Sequence, residues 1–236
     1  MIMKCKICQS EAVLVKTLKI RGIYEEIFEN EIYKFNTHTK TPLIIDCGSN
    51  IGLSIIYFKK LYPDATIIGF ESDPEIFKIL KKNIESNGFT GVSLIEGCVS
   101  KEEGVVTFFQ EGADGGRIDI SNEIKNDHHV TKVKAYTLSS FIDKPVDFLK
   151  IDIEGTEREV LEEIKDKLWY VKNIFIEYHS FVNKQQNLAV ILAILEKAGF
   201  RYYMNSIGVS SVNPFIERKE YAGVDLQINI FGYRQI

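Results

Sequence analysis

Residues 43–52 read LIIDCGSNIG. Leu43, Ile44 and Ile45 form an apolar run without polar alternation, which suits a strand buried on both faces, and the run ends on an acid, Asp46. Gly48 and Gly52 follow in a turn. Glycines there let the backbone approach a ligand closely, and the apolar helix that begins behind them offers its free N–H groups. The next apolar run, ATIIGFESDP at 65–74, places Glu71 23 residues after Gly48. That is close to the spacing of about 20 at which a carboxylate reaches the two hydroxyls of a ribose. A nucleoside-binding unit is implied, with Asp46, Gly48, Ser49, Asn50, Gly52, Glu71 and Ser72 as candidate cofactor contacts.

Working outward, VSLIEG (92–97), VDFLKID (146–152) and NIFIEYH (173–179) are further short apolar runs. Helices are expected at 53–61, 75–87, 156–168 and 186–198. Ser72-Asp73-Pro74 is a cap followed by proline, and Gly88 and Gly199 stand at helix stops. Strand and helix alternating in this way predict a Rossmann-like α/β fold with a mostly parallel, doubly wound sheet. Strand-like stretches at 105–110 and 130–136 flank a polar segment, expected to be a lid or a mobile loop, and 200–204 with 225–232 read as an antiparallel hairpin at one edge. Residues 1–41, with a weak strand pattern at 12–20 and a helical period through Ile23, Ile27, Phe28, Ile32 and Phe35, are expected to be an appendage. Residues 42–236 then form the main domain.

The chain has 236 residues, 45% hydrophobic and 26% charged, as soluble globular proteins have. Its 29 Lys and Arg against 33 Asp and Glu leave a formal charge of −4, so no basic stripe for a phosphate backbone is available and a nucleic-acid partner is disfavoured. No run approaches a membrane span and no secretory leader is evident, so a cytoplasmic protein with reduced cysteines is expected. Cys5-Lys6-Ile7-Cys8 is half of a zinc pattern without a second half, and no metal is assigned to it.

The details of the glycine loop decide among nucleoside cofactors. Its pattern is Asp46-x-Gly48-x-Asn50-x-Gly52, not GxGxxG, and an anionic Asp46 would repel a pyrophosphate while attracting a sulfonium or amino group. S-adenosylmethionine is favoured over a nicotinamide dinucleotide. The structural alternative is that Asp46 only caps the loop and the glycines only permit tight packing.

DCGSNIG, FESDP, DFLKIDIEGTE and IEYH, in this order, resemble the FkbM-type S-adenosylmethionine-dependent methyltransferases, whose pattern is DxGxNxG, an E–P pair and KxDxEGxE. The resemblance covers residues 43–180 and departs at Cys47, where the family usually has Ala, and at Ser72-Asp73, which separate Glu71 from Pro74. It implies a class I methyltransferase sheet of seven strands with an antiparallel last strand, and O-methylation of a hydroxyl on a small molecule or glycan. Gly97, Cys98 and Val99, after the third strand, fall where such folds contact adenine.

Alternation puts Lys150, Asp152 and Glu154 on one face of their strand, and Glu177 and His179 end the next. If the two strands pair, these groups converge on one crevice beyond the carboxyl edge of the sheet, where ligands of doubly wound folds bind. Methyl transfer to a hydroxyl needs something to take its proton. Asp152 and His179 are the candidates, with Asp152 also able to bind the cofactor's amino group. Lys150 is expected to pair with Glu154 or Glu177, and Lys150 and Glu154 complete the candidate catalytic set. A structural ion-pair network is the bland alternative for these residues. Asp152, Glu154, Glu177 and His179 could also ligate a divalent cation, a reading ranked below base catalysis. Tyr178, Phe181, Tyr202 and Tyr203 are candidates to stack on a sugar ring. The rivals to a methyltransferase are a nicotinamide-dependent oxidoreductase and a non-catalytic S-adenosylmethionine-binding module.

Overall fold

A computed structural model describes residues 18–110, 116–118, 129–208 and 211–234. The Cys5–Cys8 pair, His128 and most of the polar segment at 111–129 lie outside them. The apolar runs become a seven-stranded sheet: β1 (Leu43–Cys47), β2 (Thr66–Glu71), β3 (Val92–Glu96), β8 (Val146–Ile151), β9 (Val171–Phe181), β10 (Arg201–Ile207) and β11 (Val224–Tyr233), in the order β10-β11-β9-β8-β1-β2-β3. All pairs are parallel except those of β11, which is antiparallel to both β9 and β10. The terminal hairpin therefore sits at one edge as expected, with β10 outermost and the last strand inserted beside β9.

Helices cover both faces, because strands this apolar must be buried twice. α2 (Leu53–Leu61) and α3 (Pro74–Ser86) pack on one side around Ile44, Ile67, Phe148 and Phe175, while α4 (Glu157–Ile164) and α5 (Leu188–Lys197) pack on the other around Ile45, Leu149, Ile151 and Ile176. Asp73 caps α3 through the N–H groups of Glu75 (2.8 Å) and Ile76 (3.3 Å), with Pro74 at its first position.

Two expectations are corrected. Residues 18–20, the end of the weak strand pattern, belong to helix α1 (Leu18–Tyr24), which runs on into a wider helical turn at Glu25–Glu29. The segment beyond it lies on the α2 side: Ile27 and Tyr33 are buried, and Tyr33 packs edge-on to Phe175 with ring centres 4.9 Å apart. Within the polar segment, β6 (Gly116–Ile118) adds to β5 (Gly104–Gln110), which with β4 (Cys98–Ser100) and β7 (His129–Thr137) builds a second sheet in the order β4-β7-β5-β6.

Candidate active site

The turn after β1 is shaped by contacts that only particular residues permit. Gly48 has φ +85°, and a Cβ there would stand 1.8 Å from the backbone oxygen of Asp152. Asn50, also left-handed at φ +48°, points its N–H at Glu71 Oε2 (2.8 Å), and Asp73 N–H reaches Glu71 Oε1 (2.8 Å). Burial pushes the Glu71 carboxyl up to about 7, against the pull of those two N–H groups. Ser49 turns inward, where its hydroxyl donates to the Asp46 carbonyl (3.1 Å). Ser72 is half-buried beside Glu71.

Register then brings β8 against β1: Asp46 pairs with Lys150. Lys150 is buried and gives its ammonium to the Gly48 carbonyl (2.8 Å), Asp46 Oδ1 (3.3 Å) and Asp152 Oδ2 (3.3 Å). Its partners are thus Asp46 and Asp152 rather than Glu154 or Glu177, because Asp46 stands opposite on β1 and Asp152 is two residues on along the same face. Burial alone would lower the lysine's proton affinity, but the charges of Asp46 and Asp152 raise it well above the ordinary value. Asp46 is fully buried, with Oδ2 taking the Ser54 hydroxyl (2.5 Å) and Oδ1 without a hydrogen bond.

The β8–β9 pairing places Ile151 beside Ile176, so Asp152 and Glu177 stand side by side one step further on. His179, two residues later, is enclosed by acids. Its Nδ1 lies 3.1 Å from Glu157 Oε1, and its Nε2 lies 3.4 Å from both Glu154 Oε2 and Glu177 Oε1. From β11, Gln227 donates to Glu177, and its amide nitrogen lies 3.2 Å from His179 Nε2. Burial pulls the imidazole down, but the hydrogen bonds to Glu157 and Glu177 and the charge of Glu154 hold it well above its ordinary value. The acids divide accordingly. Burial and the charge of Glu177 push Asp152 up to about 6, and burial pushes Glu154 to about 8 against the attraction of His179. Glu177 is driven up by burial yet held below its usual range by the His179 hydrogen bond and charge. Ligating atoms of Asp152, Glu154 and His179 fall within 4.8 Å of one another, compact enough for a divalent cation.

Among the remaining candidates, Gly97 donates its N–H to the Glu71 carbonyl (2.9 Å). Gly97 needs no ligand to explain it, since a Cβ would meet the Lys134 carbonyl at 2.5 Å. Cys98 is packed with Phe108, Val133 and Ala135 in the second sheet, and Val99 is in the main core. Tyr178 is buried on the opposite face from His179, Tyr202 donates to Glu196, and Tyr203 stacks on Tyr233. Phe181 packs on Gly155, so each of these aromatics has a protein partner. Glu157 and Gln227 were missed as site residues. Glu157 carries a signal as the last acid of KIDIEGTE, whereas Gln227 becomes visible only through the β9–β11 register.

The residues that build this crevice also mark kinship. The model of the FkbM methyltransferase domain matches residues 46–202, and the chain belongs to that family. Methyltransferase 1 of Beauveria bassiana (strain ARSEF 2860) is 26% identical over 234 residues, covering 89% of this chain and 88% of its own length. The 31-O-demethyl-FK506 methyltransferase FkbM of Streptomyces tacrolimicus is 25% identical over 214 residues, covering 75% and 80%. Among solved structures, Methyltransferase FkbM from Methylobacillus flagellatus KT superposes with a TM-score of 0.54 at 14% identity. The match covers 86% of this chain, which spans about half, 46%, of that one. The fold is the Rossmann-like methyltransferase sheet, and the protein is a methyltransferase, which sets the nicotinamide reading aside. No helix among the described residues is long and apolar enough to cross a membrane.

Proposed function

We propose that this methyltransferase uses S-adenosylmethionine to methylate a hydroxyl on a small molecule or sugar. The observation that carries the reading is the meeting of the Asp46–Lys150–Asp152 cluster, beside the glycine turn, with His179 and its acids at the adjoining strand ends. The donor set fits the cofactor. Glu71 suits the ribose hydroxyls and Asp152 an ammonium or a sulfonium, while the buried Asp46, ion-paired to Lys150, adds negative charge behind them. When bound, S-adenosylmethionine supplies a methyl group on a positively charged sulfur. The chain's own part is to orient the hydroxyl and accept its proton.

The chemistry of Asp152 and His179 supports that role for them. Asp152, near 6, is ionised at neutral pH, and His179 becomes a base once the cofactor's positive charge offsets the acids that keep it protonated. Lys150, with its donors already engaged, holds Asp46 and Asp152 in position, and Glu154 lies at the rim against Nε2. The S. tacrolimicus relative, by its name, methylates an oxygen of a demethylated small molecule, which supports a hydroxyl acceptor. We place the reaction in the cytoplasm, which suits the free, buried Cys47 and Cys98. Residues 42–236 are taken as the methyltransferase domain, and residues 1–41 as an appendage whose described part, from residue 18 on, packs on the α2 face.

Calorimetric titration of EDTA-treated protein with S-adenosylhomocysteine, NAD and NADP tests the cofactor. Micromolar affinity, about −8 kcal/mol, for S-adenosylhomocysteine alone is expected, and binding of NAD instead would overturn the reading. His179→Ala should then lose about 10²–10⁴-fold in turnover while keeping that affinity, which a non-catalytic binding module would not show.

A further inference from the structure

We propose that Glu157 is the positioning residue for His179: its carboxylate holds the Nδ1 proton of the imidazole, so that Nε2 alone faces the reacting hydroxyl. The inference rests on the functional reading above and deepens it.

Glu157 opens α4 and is 2% exposed. An acid in a first helical turn is ordinarily favoured by the helix dipole and stays at the surface. Here Oε1 turns back to accept the Gly155 N–H (2.9 Å) and meets His179 Nδ1 at 3.1 Å. Gly155 is itself fixed, at φ +102° and with a Cβ position 2.5 Å from Phe181 Cε2, so the turn that aims Glu157 has little freedom.

The two sides of the ring differ in what they require. An imidazole N–H at Nδ1 donates to Glu157 whether the ring is neutral or protonated. The approaches of Glu154 and Glu177 to Nε2 at 3.4 Å need a proton on Nε2, which a neutral ring protonated at Nδ1 does not carry. Glu157 is therefore the contact that survives when His179 becomes a base. In the transfer step the acceptor oxygen forms a bond to the methyl carbon and the carbon–sulfur bond breaks with its electron pair staying on sulfur. The hydroxyl proton passes to Nε2. The resulting imidazolium lies among Glu157 from α4, Asp152 and Glu154 from the turn after β8, Glu177 on its own strand and the neutral Gln227 of β11.

The test uses the full chain with S-adenosylmethionine bound and no acceptor present, so that the positively charged sulfur is in place. Imidazole ¹⁵N spectra of the four histidines, assigned by difference with His179→Ala, report the tautomer directly. The unmodified protein should show neutral His179 with its proton on Nδ1. Glu157→Gln, which keeps an accepting oxygen and removes the charge, should keep that tautomer and shift the acid limb of the kcat/KM profile down by about one pH unit. Glu157→Ala should release the proton to Nε2 and lower kcat by about 10²–10³-fold, with KM for S-adenosylmethionine unchanged. An unshifted pH profile in Glu157→Gln, or an unchanged tautomer and turnover in Glu157→Ala, overturns the proposal. If His179→Ala is fully active while the tautomer still follows Glu157, it is the base assignment that fails and the positioning contact that stands.

Discussion

The two halves of the crevice solve the same problem, acids at the ends of buried strands, by different means. Around β1 and β2, Glu71 is satisfied by the backbone N–H groups of Asn50 and Asp73, and Asp46 by Ser54 and Lys150. Each acid has fixed partners that do not titrate near neutrality. Around β8 and β9, Asp152, Glu154, Glu157 and Glu177 crowd a single imidazole, and that shared partner is itself a titratable group. On the function proposed above, the first half binds and the second moves a proton. Substitutions in the first should therefore act on folding and affinity, and those in the second on turnover and its pH dependence.

The largest effect is expected where the halves touch. Gly48→Ala forces a Cβ to 1.8 Å from the Asp152 carbonyl and holds a left-handed backbone that alanine disfavours. Both atoms are backbone-fixed, so the turn must part from β8. A loss of about 3 kcal/mol or more in urea unfolding is expected, together with loss of S-adenosylhomocysteine binding. Gly52→Ala, also left-handed, meets instead the movable end of Leu80 at 2.7 Å and should be milder. Equal costs for the two would break the distinction between a junction of two backbones and ordinary packing.

The binding half was the more legible in the sequence because its partners are local. Asp46, Gly48, Asn50 and Gly52 lie in one turn, and Glu71 follows at a spacing set by a single helix. The parallel sheet and its edge hairpin were readable for the same reason, since each apolar run declares itself, while the count of seven strands with an antiparallel last one came with the family resemblance. The proton-moving half depends on register between strands distant in sequence. Which acids Lys150 pairs with is decided by its standing opposite Asp46, and Gln227 reaches His179 only because β11 lies beside β9. The three residues after β3 also depend on distant pairing: Gly97 donates to the Glu71 carbonyl, and Cys98 packs in the second sheet, which the sequence showed only as isolated strands.

An effect of intermediate size should appear with pH. Glu71 at about 7 and Glu154 at about 8 both lie above the ordinary glutamate value, so the folded state binds more protons than the unfolded chain between about 4.5 and those values. Their contribution to stability is full below about 4.5 and is lost as pH rises through about 7 and 8. The melting temperature of the ligand-free protein should decline by a few degrees from pH 5 to 8, and Glu71→Gln and Glu154→Gln should each flatten part of the decline. Affinity should run the opposite way, because ribose hydroxyls favour an ionised Glu71: S-adenosylhomocysteine binding should weaken by up to about tenfold per unit below pH 7. In Glu71→Gln that slope should vanish while in Glu154→Gln it should persist. Persistence in both would mean that Glu71 does not hold the ribose.

The smallest expected effect is the most local. Asp73 caps α3 with its side chain but reaches Glu71 through its backbone N–H. Asp73→Ala removes the first and leaves the second, so the helix should lose about 1 kcal/mol while S-adenosylhomocysteine affinity stays within about twofold. Chemical denaturation and calorimetry on the same variant separate the two quantities. A large fall in affinity would mean that Glu71 is positioned by the cap itself. The binding half would then depend on a side chain as the catalytic half depends on Glu157, and the contrast between backbone-held and side-chain-held acids would narrow to a difference in how readily their partners titrate.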